Sequence, residues 1–193
     1  MNTSISLYGF AGSTYLRTVA MVCLHKGIHY TLKPLEFREA SHRQLHPFLK
    51  MPVMEHNRFV LYESLAICQY LEDLVPEPAL IPQAMQPKAL TLQWVTAFID
   101  YLAPVLIRAR PEDETQSWPA ITAEYLTILE QRLSVVPFLA GDQPTLADLY
   151  LSPAIDYALG GPGFDQMLAT RPGLMDWWQR ASGCQFFEQT QAA

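Results

Sequence analysis

Apolar and polar positions follow two different rhythms along this chain, and the change of rhythm divides it. Ser4 to Tyr8 reads as a short strand. After a glycine-containing loop, Leu16, Val19, Ala20, Cys23 and Leu24 recur at i, i+3, i+4, i+7 and i+8, the stripe of a helix that Gly27 can end. Tyr30 to Leu35 predicts a second strand, so the chain opens with a βαβ unit whose strands run parallel through a right-handed crossover. An irregular segment follows. Val53 to Met54 and Phe59 to Tyr62 then predict an antiparallel hairpin turning at His56 and Asn57, and Ile67, Tyr70, Leu71 and Leu74 mark one face of a further helix. The order is βαβ, then ββα.

The run VPEPALIPQAMQP, Val75 to Pro87, holds four prolines and little periodicity, as a linker does. Beyond it no strand is predicted. Leu90, Trp94, Ala97, Phe98 and Tyr101 form one helical stripe that Pro104 is expected to kink, and Tyr125, Ile128, Leu129 and Leu133 form another. The pattern therefore predicts an α/β domain over residues 1–78, a linker over 79–87 and an all-helical domain over 88–193. Within the last, PTLADLYLSP reads as a helix start: Thr145 caps, and Asp148 reaches back to the cap amide in place of the usual glutamate, a structural role.

Composition narrows the function classes. The 193 residues are 50% hydrophobic and 17% charged with a net charge of −6, and no cluster of lysine or arginine supplies the basic surface that phosphate backbones require, so nucleic acid is not an expected partner. Uninterrupted apolar stretches fall short of a bilayer's thickness, and the first residues lack a basic segment followed by a long apolar one. No membrane association is predicted, and a cytoplasmic protein is. Cys23, Cys68 and Cys184 stand far apart in apolar surroundings with no metal-ligand spacing, which reads as three reduced packing residues and no metal site.

One short stretch resists a plain structural reading. In FLKMPVMEHNRFVLYES, Pro52 cannot donate to a sheet ladder, yet a strand begins immediately after it. A proline opening a strand beside a site resolves this. LYGFAGSTYLRTVAMVCLHKG, Leu7 to Gly27, resembles the first strand, active-site loop and first helix of the cytosolic glutathione transferases, especially serine-using members of the phi-like or bacterial kind. HPFLKMPVM resembles the NPxGKVPxL segment of that family, VLYESLAICQYL its LxES-x-AI-x-x-YL segment, and PTLADLYLSP its helical capping motif. The resemblance spans nearly the whole chain.

It implies a thioredoxin-like βαβ-ββα domain that binds glutathione as co-substrate, an all-helical domain contributing the electrophile site, and a two-fold homodimer. Pro52 is then expected in the cis form, with Met51 binding the cysteinyl part of glutathione through its backbone. Glu63 and Ser64 would meet the ammonium and α-carboxylate of the γ-glutamyl group, and His42 and Lys50 the glycine carboxylate. Ser13 is the expected activator: its hydroxyl can donate to a thiolate near a helix N-terminus, whose partial positive charge acts in the same direction. Tyr8 is the rival, since other classes use a tyrosine near the end of the first strand. Phe10, Ala11, Trp94, Phe98 and Tyr101 are candidates for an apolar electrophile pocket, expected between the domains.

Two departures bear on the binding loop. Leu49 stands in the glycine position of NPxGKVP and His46 in the asparagine position, and REASHRQLH is shorter than in many members. The activity implied is attack of glutathione thiolate on a small apolar electrophile or a hydroperoxide. The alternatives are a non-catalytic binding or regulatory protein on the same fold, and a glutathione-dependent isomerase, although the serine-cysteine loop associated with the latter is missing.

Overall fold

Four short strands form one mixed sheet in the order β2-β1-β3-β4 among the described residues, which in this computed structural model are 5–107 and 118–190. β1 (Ile5–Tyr8) pairs parallel with β2 (Tyr30–Lys33) and antiparallel with β3 (Val53–His56), and β3 pairs antiparallel with β4 (Phe59–Tyr62). The parallel pair requires a crossover, and α1 (Thr14–His25) supplies it. β2 stops at Lys33 because Pro34 has no N–H with which to continue the ladder. His56 pairs with Phe59, so the hairpin turns at Asn57 and Arg58, one residue later than expected. Both have positive φ, 52° and 70°, the type I′ requirement.

The segment that sequence leaves irregular contains a helix, α2 (Ala40–Leu45), which buries only His42. After β4, α3 (Ser64–Leu74) packs on α1, and Leu16, Val19, Cys23, Ile67, Cys68 and Leu71 make the core with Ile5, Leu7, Val53 and Met54 of the sheet.

Lys26, just past α1, has a fully buried side chain. Its ammonium pairs with Glu72 Oε2 at 2.7 Å and donates to the carbonyls of Val75 at 2.8 Å and Pro78 at 3.0 Å, while Glu72 Oε1 accepts the Leu80 N–H. A lysine side chain is buried at tolerable cost only when its donors are this well used. The first half of the proline-rich run is thereby fixed to the α/β unit instead of linking freely.

The described residues form two compact units, one of residues 5–80 with 185–190 and one within 81–184. The returning segment carries α10 (Gln185–Glu188), which packs on α1. Phe187 is buried under the Arg17 guanidinium at 4.9 Å, and Phe186 meets His25 edge-on at 5.3 Å.

In the second unit α4 (Met85–Ala97) continues through a π-helical turn, Phe98–Leu102, into α5 (Ala103–Leu106). The irregularity expected at Pro104 takes the form of this wide turn immediately before it, in which the Ala103 N–H reaches the Phe98 carbonyl. By length and composition Met85–Leu106 could cross a bilayer, but Val95, Phe98, Leu102 and Ala103 are buried and the helix packs on α7 (Leu146–Leu159), as a core helix does. α6 (Trp118–Leu133), α8 (Phe164–Ala169) and α9 (Pro172–Ser182) complete the bundle around Leu126, Leu129, Leu149, Tyr150 and Trp177.

Asp148, 2% exposed, is the hub of this unit. Oδ2 accepts from the Thr145 N–H at 2.8 Å and hydroxyl at 3.1 Å, and Oδ1 from the Leu139 N–H at 3.0 Å and the Trp177 indole N–H at 2.9 Å. The helix start read from sequence is also a tie between α7, the loop before it and α9.

Candidate active site

The first unit gathers the candidates around two loops. Gly9 leaves β1 with its N–H on the Lys33 carbonyl at 3.2 Å, and Ser13 ends the loop as the N-cap of α1. Gly9 has φ +155°, and a Cβ there would lie 2.4 Å from Leu16 Cδ1, so α1 and the backbone favour glycine, while Met51 Sδ would stand at an ordinary contact distance of 3.5 Å. Met51 and Pro52 are joined by a cis peptide bond at the start of β3, the geometry the resemblance implies. The start of the loop that leads to Ser13 and the Met51 side chain are thus neighbours.

Ser13 is half-buried, and its Oγ accepts the Leu16 N–H at a long 3.4 Å. Capping uses a lone pair and leaves the hydroxyl hydrogen free to donate. A cap and a thiolate donor are therefore compatible roles for one side chain.

Tyr8 is placed differently. Its phenol donates to Glu55 Oε2 at 2.6 Å and accepts from Lys33 Nζ at 3.3 Å. The hydrogen bond to Glu55, with burial, raises the phenol above its usual range, the direction opposite to an activated phenolate. Glu55 and Lys33 are absent from the sequence-derived site. The signal that could have found them is the strand register, which sets Lys33 opposite Tyr8 and Glu55 opposite Ser6 on one face.

On the other side of the cis bond, Leu49 adopts φ +53°, the left-handed conformation that the family's glycine provides freely and that costs a leucine about 1–2 kcal/mol. His42 is buried, and its Nδ1 accepts the Arg38 N–H at 3.0 Å, which puts the ring hydrogen on Nε2 for the Lys50 carbonyl at 2.9 Å. With both nitrogens committed, His42 ties the backbones of Arg38 and Lys50 together, and Lys50 is exposed. His46 is buried with its ring 4.5 Å from that of Tyr62. Burial holds it below the usual imidazole range, with Glu63 pulling up and His42 and Lys50 pushing down.

Glu63 precedes α3 at φ +68°, exposed and making no cap bond with its side chain, while Ser64 opens the helix and is buried. Strained backbone of this kind persists where the surroundings enforce it. Of the electrophile candidates, Phe10 at 60% and Tyr101 at 59% are well exposed, Ala11 is exposed and Trp94 partly so. Phe98 is buried against Tyr150, ring centroids 5.5 Å apart. A separate groove of about 460 Å³ beside Val135, Pro172 and Arg180 contains none of these residues. The Cys23 thiol is pushed up to about 12 by burial, and all three cysteines are free thiols. Among the described residues no group of histidine, cysteine or carboxylate side chains could hold a metal.

Known proteins supply the comparison for this geometry. A family model described as glutathione S-transferase, N-terminal domain, matches residues 7–79, and one described as glutathione S-transferase, C-terminal domain, matches residues 85–183. Glutathione S-transferase F12 of Arabidopsis thaliana is 27% identical across 92% of each chain. Glutathione S-transferase 1 of Dianthus caryophyllus is 29% identical, over 83% of this chain and 80% of its own. Among solved structures, poplar glutathione transferase F1 has a TM-score of 0.89 at 25% identity, covering 97% of this chain and 96% of its own.

Proposed function

Because the chain belongs to the glutathione S-transferase family, we propose that it holds glutathione along the Met51–Pro52 edge and activates the thiol with Ser13 for attack on small apolar electrophiles or hydroperoxides. The observation that carries this is the position of Ser13: an N-cap whose hydroxyl hydrogen is free, on the loop against which Met51 lies. In conjugation the thiol loses its proton to solvent, the thiolate forms a carbon–sulfur bond, and the displaced group leaves with its electron pair. Met51 would meet the cysteinyl backbone as a strand does. Ser64 and the first amides of α3 suit the γ-glutamyl carboxylate, and Glu63 its ammonium. Lys50, held by His42, suits the glycine carboxylate. Phe10 and Ala11 on the first unit, and Trp94 and Tyr101 on the second, each offer apolar surface for an electrophile. A cytoplasmic location fits the three free thiols, and cell fractionation that finds the protein elsewhere would refute it.

The magnitudes suffice. A free thiol with pKa about 8.5 is about 3% ionised at pH 7, and lowering it by about two units makes it about three-quarters ionised for about 2.7 kcal/mol. A hydrogen bond to the charged sulfur contributes about 1.5–3 kcal/mol and the helix end about 0.3–1.

The test is a panel of electrophiles and hydroperoxides assayed with glutathione, alongside a thermal melt. A ligand at 100 times its Kd stabilises the native state by about 2.7 kcal/mol, so millimolar glutathione is expected to raise Tm. No shift and no turnover would sink the proposal, whereas a shift without turnover would leave the binding-protein reading.

A two-fold homodimer is part of the same proposal, supported by Phe48, a large apolar side chain 68% exposed on the loop before Met51. Light scattering at micromolar concentration is expected to give twice 21.9 kDa. A monomer's mass would refute it.

A further inference from the structure

We propose that Tyr8, Glu55 and Lys33 form a positioning bridge across three strands, which sets the direction in which the Ser13 loop leaves the sheet. The inference rests on the glutathione-transferase reading above. β1, β2 and β3 contribute one member each. Tyr8 is the last residue of β1, Lys33 the last of β2 and directly opposite it, and Glu55 lies on β3 three residues after the cis proline. The phenol oxygen is the shared atom. It gives its hydrogen to Glu55 at 2.6 Å and takes one from the Lys33 ammonium at 3.3 Å, so an anion on β3 and a cation on β2 are joined through β1. Hydrogen bonds with an ionised partner are the strong and short ones.

The bridge bears on the site because both active loops start from it. The residue after Tyr8 is Gly9, whose N–H is held by the carbonyl of the same Lys33, and whose Cα lies against Met51. Four residues later comes Ser13. Rotation of the Tyr8 end of β1 relative to β2 or β3 would therefore move the Ser13 hydroxyl relative to the Met51 backbone. Those are the two groups that must meet one cysteinyl unit of glutathione. A phenol already donating to a carboxylate has no hydrogen left for a thiolate, so Tyr8 acts through Ser13. Its role is that of a positioning residue, and Glu55 and Lys33 share it.

A double-mutant cycle separates this from direct activation and from a general loss of structure. In the wild-type background Tyr8→Phe, which removes only the shared oxygen, is expected to lower kcat/KM at neutral pH about tenfold, as for a displacement of about 0.5 Å where 1 Å costs about a hundredfold. The thiolate titration of bound glutathione should move to higher pH, and the calorimetric Kd for glutathione should change by less than about threefold, as expected when binding contacts survive and activation does not. In a Ser13→Ala background the same substitution is expected to change none of these. An equal loss in both backgrounds would overturn the proposal, since the phenol would then act independently of Ser13. Glu55→Gln keeps the shape and an oxygen acceptor while removing the charge, and is expected to give a partial loss that also vanishes in Ser13→Ala; full activity in Glu55→Gln together with full activity in Tyr8→Phe would overturn it as well. Wild-type protein that neither binds glutathione nor turns over would overturn the functional reading itself, before any variant is compared.

Discussion

Replacing Ser13 with alanine is expected to return the thiol of bound glutathione to near its free pKa and to cut kcat/KM at pH 7 about 25-fold, the ratio of three-quarters to 3% ionised. The loss shrinks as pH rises, and by about pH 9 solvent ionises the thiol unaided, so the two enzymes converge. Glutathione affinity should change far less, because the contacts proposed for Met51, Glu63 and Ser64 remain. Loss of the cap itself costs about 0.5–2 kcal/mol of stability. That lowers Tm without displacing the pH profile, so the two consequences are separable. The measurement is kcat/KM and thiolate absorbance against pH in both proteins. An unshifted profile in Ser13→Ala would remove the activator role from this side chain.

Asp148→Ala is expected to be the most destabilising single substitution tested on the second unit. It strands the Thr145 and Leu139 amides and the Trp177 indole in a buried place, at about 1–3 kcal/mol for each unsatisfied donor. The total, about 3–9 kcal/mol, is a large part of the 5–15 kcal/mol that separates a typical native state from its unfolded chain. Asp148→Asn should fall between wild type and alanine, since one amide oxygen can still accept from Leu139 and Trp177 while the NH2 group opposes the Thr145 amide. Urea unfolding followed by tryptophan fluorescence gives the order. A loss under about 1 kcal/mol for alanine would mean that water replaces the carboxylate, and would refute the hub.

Sequence makes the strongly patterned parts plain and hides the parts held by single contacts. α1 and the β3–β4 hairpin announce themselves through the stripe from Leu16 to Leu24 and the apolar runs around Asn57, whose turn residues then shift the bend by one position. α2 is invisible because six residues with one buried side chain have no periodicity to detect. Ser13 and the Met51–Pro52 pair are legible as motifs with a chemical reason for their residue types. The partners of Tyr8 are not, since Lys33 and Glu55 lie 25 and 47 residues away and only strand register brings them to one oxygen. Lys26 is hidden for a related reason. A lysine after a helix is ordinarily solvated, and nothing in its neighbourhood shows that Glu72 and the carbonyls of Val75 and Pro78 will enclose it.

The return of α10 to the first unit makes that unit discontinuous along the chain. On the ribosome its N-terminal part emerges early, but the slot beneath Arg17 stays empty until Phe187 has been made. Synthesis proceeds at about 5–20 residues per second, so the hundred or so residues in between impose a wait of roughly 5–20 s. Through that interval the Arg17 guanidinium and the His25 ring lack the aromatic cover that Phe187 and Phe186 will give them. The last helix, four residues long, closes a core that the first strand began.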